Sequence, residues 1–224
     1  MITAKNIVKT FKNGSVETQV LKDVSLTIHD GEFVAIMGKS GAGKSTFMYQ
    51  LGLLDHPTTG EVKIDNIVVT DLSQDDRTRF RLDNLGYIFQ DYALVPELTA
   101  IENVMVPLLM QGKTTDEAAE IAHESLAKIG LSHRENNLPS QMSGGEQQRV
   151  SIARAVAHNP KILFADEPTA NLDNISSEAV MEVFKNLHKQ GQTIIMVTHE
   201  PEYTTYCDRV IYLSDGKIVD EKKQ

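Results

Sequence analysis

The chain has 224 residues, of which 41% are hydrophobic and 24% are charged. These proportions are ordinary for a globular protein, and the length suits one domain, with or without a subdomain. The net charge of −9 disfavours nucleic-acid binding, because a phosphate backbone attracts a basic surface. A single cysteine, Cys207, suits a reducing compartment, and no signal peptide or membrane-spanning apolar run is expected. We therefore expect a cytosolic protein that works at a membrane only if another chain recruits it.

Two stretches near the N-terminus, Ile2–Val8 and Val20–Ile28, have the alternation of apolar and polar residues that is typical of strands. The polar segment Lys12–Ser15 between them predicts a hairpin turn. Another strand pair is predicted around Glu61–Val69, with the polar pair Asp65–Asn66 at its turn. Together these segments predict an antiparallel sheet formed by the N-terminal part of the chain.

Residues Gly38–Thr46 form a complete phosphate-binding loop of the pattern G-x-x-x-x-G-K-[ST]. An apolar run, Glu32–Met37, precedes the loop and a helix-compatible stretch, Phe47–Leu51, follows it, which is the context that the motif requires. Lys44 is expected to reach the β- and γ-phosphates, and the Ser45 hydroxyl is expected to bind Mg²⁺. The predicted phosphate-binding residues are Gly38, Lys39, Ser40, Gly41, Ala42, Gly43, Lys44, Ser45 and Thr46. The sequence therefore predicts binding of a nucleoside triphosphate.

The short apolar run Gly86–Phe89 predicts a buried strand, and from about residue 91 to 158 the pattern becomes helical. Thr99 and Thr114 each begin a capping-box pattern, because a glutamate follows three residues later. Apolar residues after Thr114 recur at helical spacing until Gly130, which is placed to end that helix. This block predicts a helical insertion within an α/β domain.

Apolar runs at Ile162–Ala165 and Thr193–Val197 predict two further buried strands, with a helix over Ser177–Gln190 between them. The last strands are predicted around Ile211–Leu213 and Lys217–Val219. Continuously apolar strands that alternate with helices indicate a parallel sheet covered on both faces. The predicted fold is therefore α/β, a parallel-sheet core of the P-loop NTPase type with an N-terminal antiparallel β subdomain and an inserted α-helical subdomain. We expect a single domain over residues 1–224, with the core at 1–90 and 159–224 and the helical subdomain at about 91–158.

Four polar residues follow predicted strands, where the ligands of parallel sheets bind. Asp166 is expected to hold Mg²⁺, directly or through a water, and Glu167 to act as a general base that polarises the water attacking the γ-phosphate. His199 is a candidate for a γ-phosphate contact, and the amide oxygen of Gln90 for completing the Mg²⁺ shell or orienting water. The simpler alternatives are a surface acid pair at a strand end and a histidine that is merely hydrogen-bonded.

A second helix start suited to an anion is predicted in the segment Met142–Val150. Ser143 is the expected N-cap, and Gly144 and Gly145 follow it. Alone, this pattern most often indicates only a turn and a cap. Two phosphate-type helix starts in one chain suggest either two ligands or a shared one. In a two-fold dimer, ATP on the phosphate-binding loop of one chain would meet the Ser143 helix of the other, so ATP would hold the dimer together and hydrolysis would release it.

The order of these motifs resembles that of the ATP-binding-cassette ATPases over nearly the whole chain. The matching segments are Gly38–Thr46, Gln90, Met142–Gln147, Ile162–Glu167, Ala170–Asp173 and His199. The resemblance implies a head-to-tail homodimer with two ATP molecules at its interface, and Asp173 would make a contact across that interface. Phe11 takes the place of the aromatic residue that stacks on adenine in this family, although a buried strand-end aromatic is the alternative.

Two residues depart from the family pattern, Met142 in place of leucine and Glu146 in place of glutamine. The methionine conserves volume and has little consequence. A carboxylate aimed at the γ-phosphate would repel it, so Glu146 is expected to point aside.

Three short segments narrow the resemblance to the macrolide-exporter and lipoprotein-release type of ATPase. They are Gly52–Gly60, Pro96–Val104 and Thr198–Pro201. This group implies an integral membrane permease partner with a large extracytoplasmic domain and a location at the cytoplasmic face of the membrane. Its members export or extract drugs, peptides or lipoproteins, or perform mechanical work. We expect the segment Asp91–Val106 to receive the permease.

Two other functions stay open at this stage. A soluble cassette ATPase that acts on DNA or ribosomes is the main alternative, although a long coiled-coil insertion or a second cassette would be expected there. A small-molecule kinase would not need Ser143 together with His199. No nucleic-acid partner is expected.

Overall fold

The computed structural model describes residues 1–14 and 16–224. The described strands are β1 (Ile2–Asn13), β2 (Val16–Ile28), β3 (Phe33–Met37), β4 (Thr59–Ile64), β5 (Ile67–Val68), β6 (Leu85–Ile88), β7 (Ile162–Asp166), β8 (Thr193–Val197), β9 (Arg209–Ser214) and β10 (Lys217–Lys223). The described α-helices are α1 (Lys44–Leu51), α2 (Gln74–Asn84), α3 (Ala100–Met110), α4 (Thr115–Lys128), α5 (Gly144–Val156) and α6 (Asn174–Lys189).

The larger of two sheets has six strands in the order β10-β9-β3-β8-β7-β6. All neighbours pair parallel except β10, which runs antiparallel to β9. Every residue of β3, β7 and β8 is buried, as expected when helices cover both faces of a sheet. The carboxyl ends of β3, β8, β7 and β6 therefore lie side by side along one edge. The predicted α/β fold is confirmed, and this edge positions the candidate site.

The smaller sheet is antiparallel and has the order β2-β1-β4-β5. Strands β1 and β2 pair as far as Asn13 opposite Val16, so both are longer than the sequence pattern predicted. The predicted turn Lys12–Ser15 includes Ser15, which lies outside the described residues. The sheet packs into one hydrophobic cluster with residues of the parallel sheet and α1, for example Ile7, Phe47 and Phe164.

Helices α3, α4 and α5 pack against one another around a cluster of their own. Its fully buried members include Val104, Leu108, Ala122, Leu126 and Val150. The starts of all three helices agree with the sequence, because Thr99, Thr114 and Ser143 are the N-caps that it predicts. Each cap is part of a capping box, as predicted for Thr99 and Thr114 and found in addition for Ser143.

Two helices differ from the sequence prediction. Helix α2 was not predicted, because its eleven residues are mostly charged or polar and none of them is buried. It is nevertheless capped at its start, where the Ser73 hydroxyl accepts a hydrogen bond from the Asp76 amide. Helix α6 begins at Asn174, three residues before the predicted Ser177, because Asp173 caps it. None of the helices in the described part of the chain is both long and apolar enough to span a membrane.

Candidate active site

The phosphate-binding loop connects β3 to α1, as the sequence predicts. Gly43 is the N-cap of α1 and has φ +97°, a left-handed backbone conformation that residues other than glycine rarely adopt. Because no side chain caps this helix, its first amides stay available to an anion. The Lys44 side chain is buried, and its Nζ donates to the Lys39 carbonyl at 3.3 Å. The loop is thus arranged as a phosphate cradle.

Three predicted site residues from different elements meet beside this loop. Lys44 Nζ lies 4.0 Å from Glu167 Oε1, and His199 Nδ1 lies 3.3 Å from Glu167 Oε2. All three line one open cavity, whose other lining residues include Gly38, Lys39 and Ser40. The His199 side chain is 56% exposed, so it reaches the cavity from the solvent side. A carboxylate flanked by two basic side chains at a phosphate cradle is suited to chemistry on a terminal phosphate.

Glu167 follows β7 in a left-handed conformation, with φ +45°. Its amide donates to the Val197 carbonyl at 2.9 Å, which ties the end of β7 to the end of β8. A non-glycine residue in this region carries strain, and such strain is common at functional sites. The backbone tie holds the carboxylate next to the strand that leads to His199.

Asp166, the last residue of β7, is buried and is held by two hydroxyl groups of α1. Ser45 Oγ donates to Asp166 Oδ1 at 2.9 Å, and the Tyr49 hydroxyl donates to Oδ2 at 2.8 Å. Burial raises the pKa of Asp166, and the hydrogen bonds from Tyr49 and Ser45 oppose that rise. Sequence reasoning missed Tyr49, although its place one helical turn after Ser45 puts it on the same face of α1.

A second cavity adjoins Asp166. It is lined by Tyr49, Phe89, Gln90, Asp91, Asp166 and Asn171. Among the described residues, no group of three or more His, Cys, Asp or Glu side chains is arranged to hold a metal ion. Mg²⁺ in triphosphate sites commonly uses one or two carboxylates and takes its other ligands from phosphates and water. The oxygen donors of Ser45, Gln90 and Asp166 fit that mode of binding.

The segment that begins α5 is closed on itself by a capping box. Ser143 Oγ accepts from the Glu146 amide at 3.3 Å, and Glu146 Oε2 accepts from the Ser143 amide at 2.8 Å. The other carboxylate oxygen of Glu146 accepts from Arg134 Nε at 2.9 Å. These interactions, led by the hydrogen bond from Ser143, lower the pKa of Glu146. Glu146 is therefore ion-paired, and its carboxylate is turned back onto the helix cap.

Gly145 marks a close approach of two helices. A Cβ atom at this position would lie 2.8 Å from both Cβ and Oγ of Ser176, in the first turn of α6. Only glycine fits without a shift of one helix. At the start of α6, Asp173 accepts from the amide and the hydroxyl of Ser176, both at 2.9 Å. The Ser143 segment and the Asp173 cap are thus adjoining parts of one surface.

The loop that follows β6 is tied to the loop that follows Glu167. Asn171 Nδ2 donates to the Gln90 carbonyl at 2.9 Å, and the Tyr92 hydroxyl donates to the Asn171 carbonyl at 3.4 Å. Tyr92 and Ala93 both have left-handed backbone conformations, and the Arg154 guanidinium of α5 donates to both of their carbonyls. These contacts join the Gln90 loop to α5 and to the segment before Asp173.

Some predicted site residues lie outside both cavities. Neither Ser143, Gly144 and Gly145 nor Asp173 and Phe11 line the cavities at Lys44 and Asp166. The Phe11 ring is 45% exposed, so the alternative of a buried strand-end aromatic is wrong. Lys9 Nζ lies 4.9 Å from the centre of that ring. One chain therefore holds the cradle and the reactive groups together, and the capped helix start at Ser143 is not part of the lining of either cavity.

Comparisons with known proteins agree on one family. The sequence model of the ABC transporter family matches residues 21–170. An ABC transporter ATP-binding protein of Methanocaldococcus jannaschii is 49% identical over 220 residues, which cover 98% of each chain. The macrolide export ATP-binding/permease protein MacB of Chlorobaculum tepidum is 46% identical over 224 residues, which are 100% of this chain and 34% of MacB.

A solved structure closely matches this fold. It is a dimeric post-hydrolysis state of the ATP-binding cassette MJ0796, bound to ADP and Pi. The TM-score is 0.93 at 45% identity, and the match covers 100% of this chain and 98% of the other. MJ0796 is a protein of Methanocaldococcus jannaschii. The chain belongs to the ABC transporter family and is an ATP-binding, ATP-hydrolysing cassette of that family.

Proposed function

We propose that the chain acts as a head-to-tail homodimer that binds two Mg-ATP molecules at its interface and drives a membrane permease. The observation that carries the proposal is the separation of the site into two surfaces. Lys44, Glu167 and His199 share a cavity, whereas Ser143 and Asp173 lie outside it. A helix start suited to a phosphate is useful only where a phosphate reaches it, and a second copy of the chain brings one there. The dimeric structures of the similar cassette MJ0796 support this arrangement.

Each predicted site residue has a role in the proposed reaction. The amides of Gly38–Thr46 hold the phosphates, Lys44 neutralises the β- and γ-phosphates, and Phe11 stacks on adenine. Ser45, Asp166 and Gln90 would hold Mg²⁺. When bound, the ion supplies Lewis-acid stabilisation of charge on the phosphate oxygens.

Glu167 accepts the proton of the attacking water as general base, and His199 contacts the γ-phosphate from the exposed side of the same cavity. Ser143, Gly144 and Gly145 contact the γ-phosphate held by the other protomer, and Asp173 makes a second contact across the interface. Binding of ATP then stabilises the dimer, and hydrolysis removes that stabilisation.

The proposed permease surface is the segment Asp91–Val106. Val95 on this segment is 41% exposed, and Leu109 and Met110 at the far end of α3 are exposed as well. Exposed apolar side chains of this size are available for contact with a protein partner. The name of the MacB protein combines an ATP-binding part with a permease, and the present chain spans about a third of its length.

From this similarity we infer a separate permease partner with a large extracytoplasmic domain. This permease would bind the chain at the cytoplasmic face of the membrane. Export or extraction of a drug, a peptide or a lipoprotein is the proposed outcome.

Replacement of Glu167 by glutamine tests the catalytic part of the proposal. Glu167→Gln removes the base and one negative charge from the interface, so we expect nearly complete loss of steady-state ATPase together with ATP-bound dimers on a sizing column. Glu178→Gln, an isosteric change at an exposed position of α6, is the matched control and should behave as wild type. Wild-type turnover in Glu167→Gln would show that another group is the base.

The permease part is tested by affinity capture of the tagged Glu167→Gln chain from native membranes with ATP and Mg²⁺. We expect a permease with a large extracytoplasmic domain, and we expect Val95→Asp to abolish its capture while leaving ATP binding intact. Recovery of ribosomal or DNA-associated proteins without a permease would overturn the transporter proposal. It would leave the ATPase assignment in place.

A further inference from the structure

Tyr49 occupies a place in the site that the proposed roles do not explain. It lies on α1 one turn after Ser45, and its ring packs against the large hydrophobic cluster of the sheets. Its hydroxyl donates to Asp166 Oδ2 at 2.8 Å, while Ser45 Oγ donates to Oδ1 at 2.9 Å. The two oxygens of one buried carboxylate are therefore held by two hydroxyl groups of the same helix.

The two hydrogen bonds differ in what they leave free. A serine hydroxyl that donates its single proton still has lone pairs for a metal ion, so Ser45 can contact a cation while it holds Oδ1. The Tyr49 hydroxyl holds the other oxygen, so the carboxylate cannot turn about its Cβ–Cγ bond without losing a hydrogen bond. Asp166 is only 8% exposed, so water does not readily replace that bond. Tyr49 also lines the cavity that contains Gln90 and Asp166.

We propose that Tyr49 is a positioning residue for the divalent cation that accompanies ATP, acting through Oδ2 of Asp166. It fixes the carboxylate so that Oδ1 and the Ser45 hydroxyl face the cation together. The proposal rests on the Mg-ATP site described under the proposed function. It predicts that the gain in nucleotide affinity on addition of Mg²⁺ depends on the Tyr49 hydroxyl.

Tyr49→Phe tests this directly, because it keeps the packed ring and removes only the hydroxyl. The measurement is the dissociation constant of a non-hydrolysable ATP analogue, obtained by isothermal titration of the full chain once in EDTA and once in excess Mg²⁺. The Mg²⁺ ratio is the dissociation constant in EDTA divided by that in Mg²⁺. We expect this ratio to fall about 10-fold relative to wild type, since a hydrogen bond to a charged group is lost. Affinity in EDTA should not change.

Tyr87→Phe is the matched control. Tyr87 also has a partly buried ring packed against the same hydrophobic cluster, and its hydroxyl donates to the Gly52 carbonyl, outside the cavity at Asp166. We expect the Mg²⁺ ratio of this variant to equal that of wild type, whatever its melting temperature. The same outcome for Tyr49→Phe, with or without a lower melting temperature, would show that the hydroxyl is only structural and would overturn the proposal. A wild-type chain with no Mg²⁺ effect would instead refute the underlying Mg-ATP site.

Discussion

Asn103 connects the proposed permease surface to the helical part of the molecule. It is fully buried in the first turn of α3, and its side chain makes four hydrogen bonds to the backbone of the preceding loop. Its Oδ1 accepts from the Val95 amide at 2.8 Å, and its Nδ2 donates to the carbonyls of Val95, Leu98 and Thr99 at 2.9–3.1 Å. One side chain thus shapes the loop at residues 95–99.

The change Asn103→Ala removes all four bonds, but two of the carbonyls keep another donor. Val95 O also accepts from the Leu98 amide, and Thr99 O from the Asn103 amide. Among the described residues, the Val95 amide and the Leu98 carbonyl are the two groups left without another hydrogen-bond partner. Each would cost about 1–3 kcal/mol if fully buried, but Val95 is exposed and Leu98 half-buried, so the low end applies. With a small term for the cavity, we expect the free energy of unfolding to fall by about 2–3 kcal/mol.

The assay is equilibrium unfolding in urea, followed by far-UV circular dichroism. Asn186→Ala, at an exposed position of α6, is the control and should stay within about 0.5 kcal/mol of wild type. Asn103→Asp should be more destabilising than Asn103→Ala at neutral pH, because it sets a carboxylate oxygen against carbonyl oxygens. A loss for Asn103→Ala as small as that of the control would refute the account of the loop.

Two further predictions concern α5 and the turn that follows it. Gly145→Ala would put a Cβ 2.8 Å from Ser176, so we expect ATPase activity to fall. Ser176→Gly in the same chain should restore part of that activity. No recovery in the double variant would mean that the clash is not the cause. Burial lowers the pKa of His158 in the folded chain, against the opposing effect of its hydrogen bond to the Leu85 carbonyl, whereas the unfolded chain has the ordinary value of about 6.5. The unfolded state therefore binds more protons as the pH falls below that value, and stability drops. Urea titrations at pH 7.5 and 5.5 should show a smaller drop for His158→Leu than for wild type, and equal drops would contradict this assignment.

Much of the fold could be predicted because local chemistry and global structure agree. Glycines and a Lys-Ser pair identify the phosphate-binding loop, and continuous apolar runs identify the parallel strands. Capping boxes identify the starts of α3 and α4, and the N-cap Ser143 identifies that of α5. Helix α2 escaped prediction because it buries no residue and so has no apolar stripe. The early start of α6 escaped because Asp173 was assigned to an interface, although a helix cap was its local role.

The sequence names the residues of the candidate site one by one, but it does not name the contacts between them. Sequence motifs name groups such as Lys44, Glu167 and His199 because their chemistry is recognisable. The Tyr49 contact on Asp166 and the Arg154 contacts on Tyr92 and Ala93 depend on which faces meet after folding. Periodicity places a side chain on a face of its own helix, and it does not say which partner that face meets.

The tie between Asn171 and Gln90 runs through the Gln90 carbonyl, and this determines how substitutions there can be interpreted. Any replacement of the Gln90 side chain leaves that backbone carbonyl in place. The tie between the two loops therefore survives, while the side-chain amide proposed to bind Mg²⁺ is lost. A change of the Asn171 side chain keeps the Gln90 amide and removes this tie, so that the longer contact from the Tyr92 hydroxyl to the Asn171 carbonyl is what remains between the loops. The pair therefore separates two questions that a single loop mutation would confound: whether the loop senses the ligand, and whether it moves with its neighbour.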